Sequence, residues 1–180
     1  MDESMKSEHQ LRVEQFMNHK ACGQAVPDRP TVPDAKTRLL RAQLILEEAL
    51  ETVEALGFCV VVNEGDIEAE TYLDGESIKG EKITFAPNVI GKWPEFHVVT
   101  DSDINLDEIA DGCADLSVVS IGTLSACGIP DKPILECVDQ NNLEKFGPGA
   151  SVSKDGKLVK PPNHKPPQIA AILDELLHRS

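Results

Sequence analysis

The segment CADLSVVSIGTLSAC, residues 113–127, holds one charged side chain, Asp115, in an otherwise apolar or small sequence. NLDE at 105–108 precedes it, and Gly128 and Pro130 follow it, which are the start and stop signals of a helix. A helix that is apolar on every side has to be covered by other helices, so this segment points to a bundle. An ionised carboxylate in such a helix is costly unless it is paired or bound to a cation. Asp111 lies four residues before Asp115, on the same face, and Glu108 continues the stripe. Glu108 is better read as the capping-box partner of Asn105.

A second acidic element lies upstream. TRLLRAQLILEEALETVEAL reads as a helix with Asp34 as its N-cap and Gly57 as its stop. Leu40, Leu44, Val53 and Leu56 roughly keep a helical period. At about 100° per residue, Glu47 and Glu51 share a face and Glu48 nearly joins them. Oxygen-rich clusters suit hard cations such as Mg²⁺ or Mn²⁺. An EExxE stripe alone is more simply a solvated acidic face. Asp115 on a second helix changes the balance, because metal sites in bundles are built from side chains on facing helices. A divalent cation between two such stripes removes their repulsion and binds phosphate oxygens. Glu54 has no matching partner and is read as a surface glutamate.

Between the two helices the sequence changes character. FCVVVN, KITFAPNV and FHVVTD are strand-like runs between turn residues, so 58–103 reads as a β-rich insertion containing the single tryptophan, Trp93, as a packing anchor. The remainder is helical or loop. Residues 5–20 look like an amphipathic helix anchored by Leu11, Val13 and Phe16. Residues 131–146 form another helix, stopped by Gly147-Pro148-Gly149. A basic, proline-rich loop follows, and IAAILDELLHRS is a closing amphipathic helix. The expected organisation is a single mainly α domain over 1–180, with the β-rich insertion between the two acidic helices.

Charge and composition exclude some functions. A net charge of -14 repels nucleic-acid polymers, whose binding needs a basic patch, although a small phosphorylated substrate is compatible if cations accompany it. No apolar run approaches the roughly 20 residues of a membrane span, and MDESMKSEHQ lacks the apolar core of a signal peptide, so the cytoplasm is expected. The five cysteines form no CxxC pair, and Cys113 and Cys127 read as buried structural thiols. His19, His97 and His164 are not spaced as metal ligands.

EEALE, then the Asp pair in IADGCADLSVVSIGTL, then DQNNLEKFGPG and SKDGKLVKPPNHKPPQIAAIL together resemble the all-α nucleoside triphosphate pyrophosphohydrolases. This is the MazG-like superfamily that includes phosphoribosyl-ATP pyrophosphohydrolase. The resemblance covers about 34–57 and 105–173 and is closest to a bacterial and phage subfamily. VPDRPTVPD is a weaker echo. The superfamily pattern is EExxE followed by ExxD. Glu47, Glu48 and Glu51 match the first motif and Asp115 the Asp of the second. The Glu of ExxD falls on Gly112, a departure, and Asp111 beside it is the substitute ligand. Asn142 and Lys145 match an Asn-x-x-Lys element that lies near substrate in the family. Asp139-Gln140 departs from the basic or His-containing pair frequent there.

The resemblance implies hydrolysis of a nucleoside triphosphate, or its deoxy form, to the monophosphate and pyrophosphate. Glu48, Glu51, Asp111 and Asp115 would hold Mg²⁺, with Mn²⁺ as the alternative, and Glu47 would orient or deprotonate water. Lys145, Lys157 and Lys160, with Arg41 as a further candidate, would balance phosphate charge. Helices of this family pair between subunits, which implies a homodimer or a homotetramer. The competing expectation is a non-catalytic helical module that binds a partner through 58–103.

Overall fold

The computed structural model describes residues 3–61, 72–73, 76–77, 95–98, 104–153 and 158–178. Among them the fold is carried by five α-helices: α1 (Glu8–Met17), α2 (Ala35–Ala55), α3 (Leu106–Ala126), α4 (Asp131–Glu144) and α5 (Ile169–His178). Short antiparallel ladders accompany them. β1 (Phe58–Val61) pairs with β4 (Glu95–Val98), Phe58 opposite Val98 and Val61 opposite Glu95. β2 (Tyr72–Leu73) pairs with β3 (Glu76–Ser77), and β5 (Ser151–Val152) with β6 (Leu158–Val159). The mainly helical architecture expected from the sequence is the one observed. The strand expected at KITFAPNV, and Trp93, lie outside the described residues. The loop expected after α4 contains the β5–β6 ladder.

The chain forms two compact units, residues 1–32 with 121–180, and residues 33–120. In the first, Ser7 caps α1 by accepting the Gln10 N–H at 3.0 Å. α1 buries Gln10, Val13, Glu14 and Met17. That stripe is i, i+3, i+4, i+7, and Phe16 falls off it, 63% exposed. Of the three anchors read from the sequence only Val13 is buried; Leu11 is half-covered. A polar network ties α1 to the α3–α4 corner. Asp131 accepts from the Ser7 N–H at 2.8 Å and from the Ser7 hydroxyl. Its own N–H donates to Gln10 Oε1 at 2.8 Å. Gln10 Nε2 donates to Ser125 Oγ at 3.1 Å and to the Ile129 carbonyl at 2.9 Å. Lys6 and Glu14 add an ion pair at 2.6 Å.

The corner itself is a glycine stop. The Ile129 N–H bonds the Leu124 carbonyl at 2.9 Å and the Gly128 N–H bonds the Ser125 carbonyl at 2.9 Å, which is the Schellman arrangement. Gly128 has φ +65°, and a Cβ there would lie 2.3 Å from the Arg29 carbonyl oxygen, so a side chain is excluded twice over. The proline-rich loop runs across this end of α3, where the Thr31 N–H donates to the Cys127 carbonyl at 2.9 Å.

The second unit holds α2, β1, β4 and residues 106–120 of α3. Asp34 caps α2, accepting the Thr37 N–H at 2.7 Å, and Gly57 ends it at φ +84°. Both boundaries were legible in the sequence. The burial was not: α2 buries Arg41 and Thr52, whereas Leu40 and Leu56 are 37% and 43% exposed. Asn105 starts α3, but its Oδ1 takes the Asp107 N–H at 3.0 Å rather than that of Glu108, which is exposed. α3 is fully covered at Val119, Ile121, Ser125 and Ala126, and its first three turns stay open. The expectation that 113–127 is buried throughout is therefore corrected, and Cys113 is exposed rather than a core thiol. Cys22, Cys113, Cys127 and Cys137 are free thiols. By length and composition α3, 21 residues, is apolar enough to cross a membrane, with 28% of that window buried. The sequence reading of its apolar runs missed this. Asp111 and Asp115 argue against lipid there, since carboxylates at membrane depth are expensive.

Candidate functional site

The N-cap at Asp34 fixes where α2 starts and hence which way residues 47–51 face. Glu47 and Glu51 are exposed and Glu48 between them is half-buried. On α3, Asp111 is exposed and Asp115, one turn on, is half-buried. These two stripes meet. Loss of solvent around the Glu48 carboxyl raises its pKa above the ordinary value of 4.5, and the charges of Asp115, Glu51, Glu47 and Asp111 push it further in the same direction. Both members of the α3 pair therefore lie within electrostatic reach of the middle glutamate of α2. Asp115 is less enclosed than its sequence surroundings suggested, because the first turns of α3 are open.

Among the described residues no three His, Cys, Asp or Glu side chains converge into a closed ligand set. Like charges drive carboxylate oxygens apart at short range. The donors are all carboxylate oxygens, carried on two elements, and their repulsion already favours protonating Glu48. This chemistry fits a hard divalent cation, which would neutralise the cluster and draw it together.

The two helices touch between the acidic pairs. An ideal Cβ on Gly112 would sit 2.7 Å from Thr52 Oγ1 and 3.2 Å from Thr52 Cα. Thr52 follows Glu51 and donates its hydroxyl to the Glu48 carbonyl at 2.7 Å. A side chain at position 112 would therefore require Thr52 to move. Sequence reading missed Thr52 altogether. Its one signal was its spacing, four residues beyond Glu48.

The remaining candidates fall elsewhere. Asn142, exposed, and Lys145, half-buried, meet at the end of α4, where Lys145 Nζ donates to Asn142 Oδ1 at 2.5 Å. Neighbouring Asn141, buried and not singled out from sequence, donates its Nδ2 to the Lys165 carbonyl at 2.8 Å and pins the proline-rich loop to α4. Lys160 is exposed on that loop, and Lys157 lies outside the described residues. These residues belong to the first unit and the carboxylates to the second. Arg41, two turns before Glu48, is buried at 7% exposure rather than presented on the surface.

A protein-family model, phosphoribosyl-ATP pyrophosphohydrolase, matches residues 14–142, a span that includes both acidic stripes and ends at Asn142. No curated protein matches the chain.

Proposed function

The chain belongs to the phosphoribosyl-ATP pyrophosphohydrolase family, within the MazG-like superfamily, and so to the pyrophosphohydrolases that act on nucleotides; on that premise we propose that it cleaves the α–β anhydride of a nucleoside or deoxynucleoside triphosphate, releasing the monophosphate and pyrophosphate. The observation that carries this reading is the position of Glu48, whose carboxyl is pushed up first by loss of solvent and then by the charges of Asp115, Glu51, Glu47 and Asp111 from two helices. Glu48, Glu51, Asp111 and Asp115 would hold Mg²⁺, or Mn²⁺ in its place. Bound there, the cation supplies charge neutralisation for the triphosphate and a lowered pKa for water. Glu47, exposed one residue before Glu48, accepts the proton of the attacking water or aligns it. Asn142 orients the substrate. Lys145, with Lys157, Lys160 and Arg41 as further candidates, would balance phosphate charge.

The test is pyrophosphate release from a panel of ribo- and deoxyribonucleoside triphosphates and phosphoribosyl-ATP, each with Mg²⁺, with Mn²⁺ and with a chelator. Metal-dependent release from one or more of them is expected. A panel that is bound and left intact would instead describe a non-catalytic module built on the same helices.

A further inference from the structure

We propose that Gly112 and Thr52 are positioning residues: their contact sets the gap between α2 and α3, and through it the separation of the carboxylates that hold the cation. This rests on the metal reading of the site given above. The gap is set where the Gly112 backbone meets the Thr52 side chain. A Cβ on Gly112 would meet Thr52 Oγ1 at 2.7 Å, Cα at 3.2 Å and Cβ at 3.3 Å, so even alanine at 112 requires something to move. The near atom cannot swing away freely. Thr52 is β-branched, 6% exposed, and its hydroxyl is held by the Glu48 carbonyl at 2.7 Å. Displacement therefore passes to the helices themselves.

The contact lies in the middle of the cluster. Thr52 is covalently next to Glu51 and hydrogen-bonded to Glu48, while Gly112 is next to Asp111 and three residues before Asp115. A shift at this point moves Glu48 and Glu51 relative to Asp111 and Asp115, and ligand distances tolerate only about 0.2 Å. Position 112 gives a close helix approach in place of a side chain. Glutamate at 112 should therefore damage the site instead of improving it.

The experiment is Mn²⁺ binding by calorimetry and by the electron paramagnetic resonance of the bound ion, with thermal unfolding of each metal-free variant. Gly112→Ala should weaken Mn²⁺ binding about 10- to 100-fold, the range for residues that orient metal ligands. Thr52→Ala, which empties the other side of the contact and leaves the glycine in place, should weaken it several-fold. Together they exchange the filling atom from one helix to the other, and the double variant should return to within about threefold of wild type, a strongly non-additive pair. Gly112→Ala with Thr52→Ser keeps the hydroxyl and should not recover. Gly112→Glu should bind no better than Gly112→Ala. Binding within twofold of wild type in both single variants, or equal recovery with Ser and Ala at 52, overturns the proposal. Should Gly112→Ala fail to fold, Thr52→Ala alone decides, and an unchanged affinity there overturns it too. Wild-type protein without a Mn²⁺ site overturns the metal reading and this proposal together, whereas wild-type binding with indifferent variants overturns the spacing role alone.

Discussion

Asp115 and Glu48 are opposed across α2 and α3, and the charge of Asp115 makes that of Glu48 less favourable. Asp115→Asn should therefore have two effects of opposite sign. Pyrophosphate release should fall by at least about 100-fold, beyond the usual loss for a residue that merely supports a metal ligand. The metal-free protein should be as stable as wild type or slightly more so, since one repulsion is gone. A variant that keeps its activity, or one that unfolds, contradicts this account. Glu48 also predicts a pH dependence. Its carboxyl binds a proton more readily in the folded chain than in the unfolded one, where the ordinary value is 4.5. Protonation thus favours the fold: this contribution is complete below the unfolded value and is lost as pH rises through the raised folded pKa. Asp34 runs the other way. Held below its ordinary 3.8 by the Thr37 N–H, it favours the fold at neutral pH and ceases to do so as pH falls through its lowered pKa. Comparing metal-free wild type with Glu48→Gln isolates the first group. Glu48→Gln should melt higher at pH 7, and the difference should shrink toward pH 4.5; a variant that melts lower at every pH rules this out. Sequence spacing revealed the acidic residues because carboxylates at i, i+3 and i+4 leave a pattern. The contact that spaces them left none, because Gly112 contributes the absence of a side chain.

Helix ends were readable because their causes are local. Asp34, Asn105, Gly57 and Gly128 each act on backbone groups within a few residues, so α2 and α3 could be bounded from the sequence alone. The tie between α1 and the α3–α4 corner is different, since Ser7 and Asp131 are 124 residues apart. In sequence Asp131 is an ordinary acidic residue in the first turn of a helix. In the fold it is 1% exposed and accepts from the backbone and the hydroxyl of Ser7. Removing it strands two donors of Ser7 in a place with little water. Asp131→Ala should cost about 3 kcal/mol, at the upper end for charge-assisted hydrogen bonds, read as a lower midpoint in urea with an unchanged slope. Ser7→Ala, which retains the backbone donor, should cost less. A midpoint that stays put in Asp131→Ala would show that the Asp131 side chain does not hold α1 in place.

At the scale of the whole molecule, Val13, Met17, Val119, Ile121, Ala126, Pro130 and Leu176 are covered apolar side chains among the described residues. Uncovered large apolar residues occur on all five helices and in the segments between them, α2 included. Leu40, Ile45, Leu50 and Leu56 of α2 are 37%, 36%, 37% and 43% exposed, and Leu106 at the start of α3 is 79% exposed. An apolar helix in water is covered by another helix or it is not stable. The sequence signalled that α3 needs cover but not that α2 does, because its charged stripe drew attention from the leucines beside it. We expect a second copy to supply that cover, giving a homodimer, with a homotetramer as the larger alternative. The net charge of -14 opposes association at low ionic strength and is screened over about 10 Å at 0.1 M salt. Light scattering should therefore give at least twice the 19.6 kDa chain mass, more firmly as salt is raised. Because association and folding are linked, Tm should rise with protein concentration. Leu50→Glu, which puts a charge in place of an exposed leucine of α2, should lower the mass and remove the concentration dependence together. A monomer mass with a Tm independent of concentration in the wild type would mean that the leucines of α2 stay in water, and would require another source for the stability of the second unit.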